Sequence, residues 1–236
     1  MTDLDLNPLW LSLKLASITT VILLLIATPI AWWLRASSRP VKSLAAAVAT
    51  LPLVLPPSVL GFYLLLLLGA QGPLSPLLNQ FGIATLAFSF PGLVVASVVY
   101  SFPFALQPIQ NAFEAIGQRP LEVAATLGAS AWDRFFSVAL PLAKPGLLTA
   151  SVLSFAHTIG EFGVILMIGG SIEGETKVLS VAIYDHVEAN EYHQAHVLSG
   201  VMLLFSLLVL FALHFLNNRA SHGDKPGGNI GGVHGG

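Results

Sequence analysis

His157 and Glu161 are ionisable side chains in an otherwise apolar run between Lys144 and Ile168. Four positions apart, they would share one face of a helix, where an imidazole and a carboxylate could serve a hydrolase. The spacing is not the His-Glu-x-x-His zinc motif, which puts two imidazoles on one face. Zinc hydrolysis is therefore disfavoured. Since an ionisable group inside a membrane span usually has a function, we expect Glu161 to be hydrogen-bonded within the bundle or to face a water-filled cavity.

Few other residues could take part in catalysis or bind a metal. His186, His193 and His196 lie close together, but three histidines in a polar loop are more often solvated than metal-bound, so no metal site is predicted. The sequence has no cysteine, which excludes disulfides and thiolate chemistry. It also lacks the G-x-x-x-x-G-K-S/T motif that cradles phosphates. We expect no catalytic residue and no cofactor bound by this chain.

The composition is that of an integral membrane protein. Of the 236 residues, 55% are hydrophobic and 9% are charged, and the mean hydropathy is +0.79. A soluble domain carries about 25% charged residues. The net charge of −2, without a basic patch, gives no support for nucleic-acid binding. We therefore expect an all-α chain in the lipid bilayer.

Five apolar segments predict five transmembrane helices, with a short amino-terminal segment at 1–8 and a disordered glycine-rich tail at 219–236. The spans lie at about 9–34, 44–69, 92–107, 144–168 and 196–217. Residues 108–116 should continue the third helix. Prolines at Pro52, Pro56 and Pro57 predict a break or kink in the second, because proline removes a backbone donor. A structural kink and a gate are both compatible with this pattern.

The cationic residues orient the predicted bundle. With an outside amino end, eight of the ten lie inside: Arg35, Arg39, Lys42, Arg119, Arg134, Lys144, Arg219 and Lys225. Lys177 lies outside, and Lys14 falls near the outer interface, where we expect it to snorkel toward water. By the positive-inside rule the carboxyl end and residues 117–141 are then cytoplasmic.

Residues 117–141 form the one long amphipathic segment between predicted spans. Ser130 and Asp133 have the spacing of a capping box, so a helix should start at Ala131. Gly128 suits the left-handed residue that closes the preceding helix, and Pro141 should end the second. A helical hairpin on the membrane surface is not needed to build a bundle, so it predicts the docking of a cytoplasmic partner.

The same segment resembles the EAA loop of ABC importer permeases, whose pattern is E-A-A, three residues, G, nine residues and I-x-L-P. Glu122, Ala124, Gly128 and Pro141 match it at the right spacing, with Val123 in place of the first Ala and Val138 in place of Ile. The runs LPLVLPPSVLG, GEFG and GGSIEGETKVLSVAIYDHVEA further resemble molybdate- and sulfate-type permeases.

This resemblance implies a type I (MetI-like) permease fold with a cytoplasmic coupling helix. The residues expected to couple to an ATPase are Glu122, Ala124, Ala125, Leu127, Gly128, Asp133, Arg134 and Pro141. Those expected to line or gate a translocation path are Pro56, Pro57, His157, Gly160, Glu161, Phe162 and Gly163.

The resemblance also implies a transport function. The chain would be the non-enzymatic permease of an ATP-driven importer in the bacterial inner membrane, passing an oxyanion by alternating access. Molybdate is the expected substrate, with tungstate, sulfate and thiosulfate as alternatives. The implied partners are a second copy of the chain, two ATPase subunits that carry ATP and Mg²⁺, and a periplasmic oxyanion-binding protein. An ATP-independent channel or scaffold is the alternative of another class.

Overall fold

The structure is a computed structural model that describes residues 5–222, except for the side chains of 213, 214 and 216–222. This range contains no strand, which confirms the all-α class. Its α-helices are α1 Asn7–Ala36, α2 Arg39–Val54, α3 Pro57–Leu68, α4 Ser75–Gln80, α5 Phe90–Ala115, α6 Arg119–Thr126, α7 Ala131–Asp133, α8 Leu140–Leu142, α9 Lys144–Gly160, α10 Gly163–Gly169, α11 Leu179–Glu188 and α12 Tyr192–His222. A π-helical segment, Arg134–Ala139, joins α7 to α8.

Three described helices are long and apolar enough to cross a membrane by themselves: α1, α5 and the Tyr192–Ala212 part of α12. Two bent pairs bring the number to as many as five, namely α2 with α3 and Ala131–Leu142 with α9. The division into five spans stays a prediction. The helix α12 continues through residue 222, past the predicted boundary at 219. Residues 223–236 lie outside the described residues, so the disorder of the tail stays a prediction.

The second apolar segment is broken where its prolines predict. The helix α2 ends at Val54, Leu55 and Pro56 are extended, and α3 begins at Pro57 with a bend of 106° between the two axes. Pro57 is tolerated there because the first residue of a helix needs no amide donor. The pieces have 16 and 12 residues, so they are about 24 and 18 Å long and neither alone spans a hydrocarbon core of about 30 Å.

The long helix α5 lies at the centre of the bundle and packs against α1, α9 and α10. It starts at a Ser89 cap that accepts a hydrogen bond from Gly92 N, and it runs uninterrupted past the predicted end of its span. Gly117, at φ +68°, follows the capping residue Ile116. The bundle core is therefore continuous with the start of the 117–141 segment.

The core consists of two apolar clusters at different depths. The inner cluster includes Leu23, Ala105 and Ala150, and the outer cluster includes Leu15, Ala96 and Val164. Between them lie seven buried polar residues, which we call the polar layer: Thr19, Thr20, Ser97, Ser101, Ser154, Thr158 and Glu161. They come from α1, α5, α9 and the residue after α9.

Pro141 does not end the second helix of the hairpin, contrary to the prediction. It lies within α8, where the helix runs on from the π-helical segment, and the chain bends only after Leu142. The π-helical segment precedes it, and the Leu140 amide donates to Phe135 O, five residues back.

Gly61 allows α3 and α10 to approach closely. A Cβ there would lie 2.6 Å from Met167 Cβ and 3.3 Å from Val164 Cα. Gly61→Ala should therefore force the helices apart and lower the free energy of unfolding by about 1–3 kcal/mol. Thermal unfolding of the purified protein in detergent measures this effect.

Gly200→Ala is the matched control. A Cβ at Gly200, in α12, meets nothing within 4 Å. Alanine there should be neutral, or stabilising by up to about 1 kcal/mol through its helix propensity. Equal melting temperatures for the two variants would contradict the packing of α3 on α10.

Candidate functional site

The hairpin of residues 117–141 has the turn and cap that its sequence predicts. Gly128 closes α6 at φ +85°. Ser130 Oγ accepts from the Asp133 amide at 3.2 Å, and Asp133 Oδ2 accepts from the Ser130 amide at 3.1 Å and from its hydroxyl at 2.6 Å. These bonds from Ser130 hold the pKa of Asp133 below its ordinary value. The turn is thus fixed by one positive φ and one reciprocal cap.

One face of the hairpin is apolar and exposed. Leu127 is 83% exposed and Trp132 is 72% exposed, and the Trp132 ring stacks on Phe136 at 5.8 Å between centroids. Val123 and Phe136 extend the same exposed set. Glu122 is also exposed and makes no ion pair or hydrogen bond through its side chain to any described residue. Carboxylate and apolar surface are both available to a partner.

The opposite face of the hairpin is anchored to the bundle through aromatic rings. Trp32 of α1 lies 5.3 Å from Phe113 of α5 and 5.2 Å from Phe135 of the π-helical segment, measured between centroids. Leu121 and Ala139 are buried beside them in the inner cluster. Because these rings are close-packed, a displacement of the hairpin must move α1, α5 or both.

Arg35, at the end of α1, contacts Gly117 and Gln118 at the start of the hairpin, which we call its hinge. It donates to Gly117 O at 2.7 Å and to Gln118 Oε1 at 3.3 Å, and its guanidinium lies 5.2 Å from the Trp32 ring. Nearby, Lys42 of α2 pairs with Glu114 at 3.3 Å. Sequence reasoning used both cations only to orient the bundle. No local signal indicates these pairs, because each partner lies more than 70 positions away.

A cavity of about 190 Å³ lies beneath α6 and is lined by Arg35, Glu122 and Arg134 among others. The Arg134 Nε is buried there without a hydrogen-bond partner in the described part of the chain. The packing beneath α6 is therefore looser than at the aromatic contacts of Phe135.

The predicted break at Pro56 and Pro57 lies beside a second break, between α9 and α10, that the sequence analysis did not predict. Pro56 and Pro57 are exposed, and an added Cβ at Gly163 would lie 2.8 Å from Pro57 Cβ. Phe162 packs on Tyr184 of α11 at 5.1 Å, and Gly160 is exposed. The structure thus brings both interruptions to one region, and the role of these residues in a path stays a prediction.

His157 and Glu161 do not share a helix face, contrary to the prediction. The helix α9 ends at Gly160, and Glu161 is extended at φ −71° and ψ 128°. His157 Nδ1 lies 2.9 Å from Ser101 Oγ, and its ring stacks on Phe104 at 4.0 Å. Glu161 is only 4% exposed, so in this conformation its side chain is enclosed by the chain itself and faces no open surface.

The remaining ionisable groups have local partners. His186 Nδ1 lies 2.7 Å from Glu191 Oε2. The side chains described contain no group of three that could hold a metal ion. Lys14 lies 4.6 Å from the centre of the Phe90 ring, so its ammonium rests on an aromatic face.

The sequence is similar to a family of transport proteins and to permeases of known systems. Residues 16–222 match the family model described as a binding-protein-dependent transport system inner membrane component. The chain is 60% identical over 214 residues to the molybdenum transport system permease protein ModB of Azotobacter vinelandii, covering 91% of this chain and 95% of that protein. It is 34% identical to the sulfate transport system permease protein CysT of Escherichia coli K12, covering 80% of this chain and 68% of that protein.

Solved structures give the same architecture. The chain superposes on the inward-facing MetNI methionine ABC transporter with a TM-score of 0.69 at 17% identity, covering 92% of this chain and 99% of that one. It also superposes on a bacterial alginate ABC transporter bound to a periplasmic protein, with a TM-score of 0.70 at 15% identity and coverage of 96% and 82%. At such low identity the likeness concerns the fold, and it confirms the predicted permease fold.

Arg35→Gln should loosen the hinge of the hairpin. The variant loses a charge-assisted bond to Gly117 O, and for a half-exposed group this is worth about 1 kcal/mol. Amide hydrogen exchange in α6 should then rise about fivefold. Hydrogen–deuterium exchange with mass spectrometry measures it.

Arg39→Gln removes a cation four residues away whose side chain is exposed and has no partner in the described region. It should leave α6 exchange unchanged. An equal rise in both variants would show that net charge, rather than the Gly117 contact, governs the hinge.

Proposed function

The chain belongs to the family of binding-protein-dependent transport system inner membrane components, and we propose that it is the permease subunit of an ABC importer for molybdate. The observation that supports molybdate as the substrate is the 60% identity to a molybdenum permease over 91% of the chain, against 34% to a sulfate permease. Molybdate and sulfate are both tetrahedral dianions, so they need similar paths. Overall similarity therefore indicates the substrate better than any one side chain.

The hairpin is the part of this chain that would receive work from an ATPase. Its exposed Trp132, Leu127 and Glu122 offer an apolar surface with one unpaired carboxylate. Its inner face is held by Phe135 and by the contact of Arg35 with Gly117. ATP-driven closure of two ATPase subunits would bring two such hairpins together and bias the bundle between two packings.

The helix α5 is the element suited to carry that movement to the helix breaks. Its 26 residues make a rod of about 39 Å. One end lies at the hairpin hinge, and further along it packs against α9 and α10, which flank the break at Glu161. Movement of the hairpin would thus reach the break at Pro56 and the one at Glu161 together, and open the path alternately to either side.

The partners follow from this mechanism. Two copies of the chain would enclose the path between them, each docked on one ATPase subunit that holds ATP and Mg²⁺, while this chain binds no cofactor. A periplasmic oxyanion-binding protein would deliver substrate, with the amino terminus periplasmic and the carboxyl terminus cytoplasmic. The alginate transporter, which has the same fold, was solved with its substrate-loaded periplasmic protein, and this supports an equivalent partner here.

Tungstate, sulfate and thiosulfate are the alternative substrates, and the similarity to a sulfate permease favours sulfate among them. Selection among these anions would belong to the binding protein. An ATP-independent channel or scaffold is the alternative of another class. It would use the hairpin only as an anchor, and flux would then persist without ATP.

Reconstitution tests the proposed function. The chain, its ATPase and its binding protein are placed in proteoliposomes, and uptake of radiolabelled molybdate is measured with and without ATP. We expect ATP-dependent uptake that excess sulfate inhibits weakly. Uptake without ATP would contradict the importer, and sulfate uptake exceeding molybdate uptake would contradict the substrate.

Glu122→Ala should separate coupling from assembly. Loss of a charged contact with the ATPase is worth about 1.5–3 kcal/mol, so uptake and transport-coupled ATP hydrolysis should fall about tenfold or more. The purified complex should keep its subunit composition, since the side chain has no partner within the described chain. Glu175→Ala, at an exposed carboxylate predicted on the opposite side, is the control. Normal uptake by the Glu122 variant would reject the coupling role.

A further inference from the structure

The polar layer interrupts the apolar core at one depth. On α1, the buried residues change from Leu15 of the outer cluster to Leu23 of the inner cluster, and Thr19 and Thr20 lie between. The same change occurs on α5 and across α9 and α10. Because three neighbouring elements place hydroxyls at the same transition, the layer is a structural site rather than scattered polar residues.

Most of this layer lacks hydrogen bonds within the chain. Ser101 Oγ lies 2.9 Å from His157 Nδ1 and 3.2 Å from Thr158 Oγ1, so these groups satisfy one another. The buried atoms without a partner among the described residues are Thr19 Oγ1, Thr20 Oγ1, Ser97 Oγ, Ser154 Oγ, Glu161 Oε1 and Glu161 Oε2. Buried polar groups in proteins are almost always paired with protein or with ordered water. This concentration of unpaired atoms indicates a site that binds a small polar ligand.

Glu161 is the chemically decisive member of the layer. It is 4% exposed, and no cation among the described side chains pairs with it. The hydroxyl of Ser97, on α5, lies close enough to influence the carboxyl but does not have the geometry of a hydrogen bond to it. An ionised carboxylate is an acceptor only, and burying it unpaired costs several kcal/mol even after relaxation. The uncharged acid both donates and accepts, so it can join hydroxyls and water in one network.

We propose that Glu161 is held as the uncharged acid and that its carboxyl and the unpaired hydroxyls of the polar layer bind internal water. Water suits this site because each buried molecule makes about three hydrogen bonds to otherwise unsatisfied groups. The inference concerns the path of the proposed permease and rests on that function only for its consequence. An uncharged acid near the path does not repel a dianion.

The hydrated carboxyl would position the break between α9 and α10. The backbone at Glu161 is held on one side by Ser180 of α11, whose hydroxyl donates to Glu161 O at 2.6 Å. On the other side its amide makes only a 3.4 Å contact to Thr158 O. Besides the packing of Phe162 on Tyr184 and of Gly163 against Pro57, the side chain in the polar layer is therefore a further constraint on where α9 ends and α10 begins. Glu161 is in this sense a positioning residue.

The competing interpretation is an ionised Glu161 that holds a bound cation. Infrared spectroscopy of the assembled complex in lipid nanodiscs, in H₂O and D₂O, separates the two. We expect the carbonyl stretch of a protonated carboxylic acid, sensitive to deuterium, in the wild-type protein. It should disappear in Glu161→Gln and persist in Glu175→Gln. A difference spectrum that shows only carboxylate bands would overturn the proposal.

Uptake by the same variants tests the positioning role. Glu161→Gln keeps a donor and an acceptor in the same shape, so molybdate uptake should stay within about twofold of wild type. Glu161→Leu removes both the donor and the acceptor, so the hydroxyls and water of the polar layer lose the group that joins them. Uptake should then fall more than about tenfold. Normal uptake by the Leu variant, or loss of uptake by the Gln variant in an intact complex, would overturn the proposal.

The infrared and uptake experiments can reject this inference without rejecting the proposed function. If the Leu variant does not assemble, the infrared comparison and the Gln variant still decide. The infrared band needs no transport, so its absence rejects the uncharged acid even where wild-type uptake is normal. Absence of molybdate uptake by the wild-type complex rejects the function without bearing on the band.

Discussion

The backbone's need for hydrogen bonds inside a bilayer is the constraint on which this structure depends. A helix that breaks in hydrocarbon frees amides and carbonyls, and these must find protein or enclosed water. The chain breaks at Leu55–Pro56 and at Glu161–Phe162, and it places the two breaks against each other through Pro57 and Gly163. Ser180 satisfies the carbonyl of the second. Each break thus has protein on at least one side.

The hairpin packs tightly on the bundle at its inner face and its hinge, and loosely beneath α6. Aromatic rings at Trp32 and Phe135 fix the inner face of the hairpin, and Arg35 fixes its hinge. Beneath α6, in contrast, lies a cavity with the unused Arg134 Nε. In the proposed mechanism, a force on the exposed face could therefore tilt α6 while the aromatic contacts of the hairpin are kept.

Local rules predicted those features whose cause is local. The capping box at Ser130, the left-handed Gly128 and the proline break each follow from a few neighbouring residues, and each is present. The clamp of Arg35 on Gly117 is not predictable this way, because the partners meet only after folding. The face shared by His157 and Glu161 was wrong because Gly160 ends the helix between them. Residues four positions apart share a face only if the helix continues through both. Gly160 and Gly163, on either side of Glu161 and Phe162, were the sequence signal that it does not.

The π-helical segment has a consequence for the length of the hairpin. The Leu140 amide bonds to Phe135 O, five residues back, so the segment accommodates an extra residue relative to a regular α-helix. Because the wider turn absorbs that residue, the helix on either side keeps nearly the phase of a regular α-helix. Removing one residue from 134–139 should therefore leave Trp132 at nearly the same azimuth relative to Leu140, whereas adding one, at about 100° per residue, should turn it by roughly a quarter turn. The hairpin should thus tolerate a deletion in this segment better than an insertion.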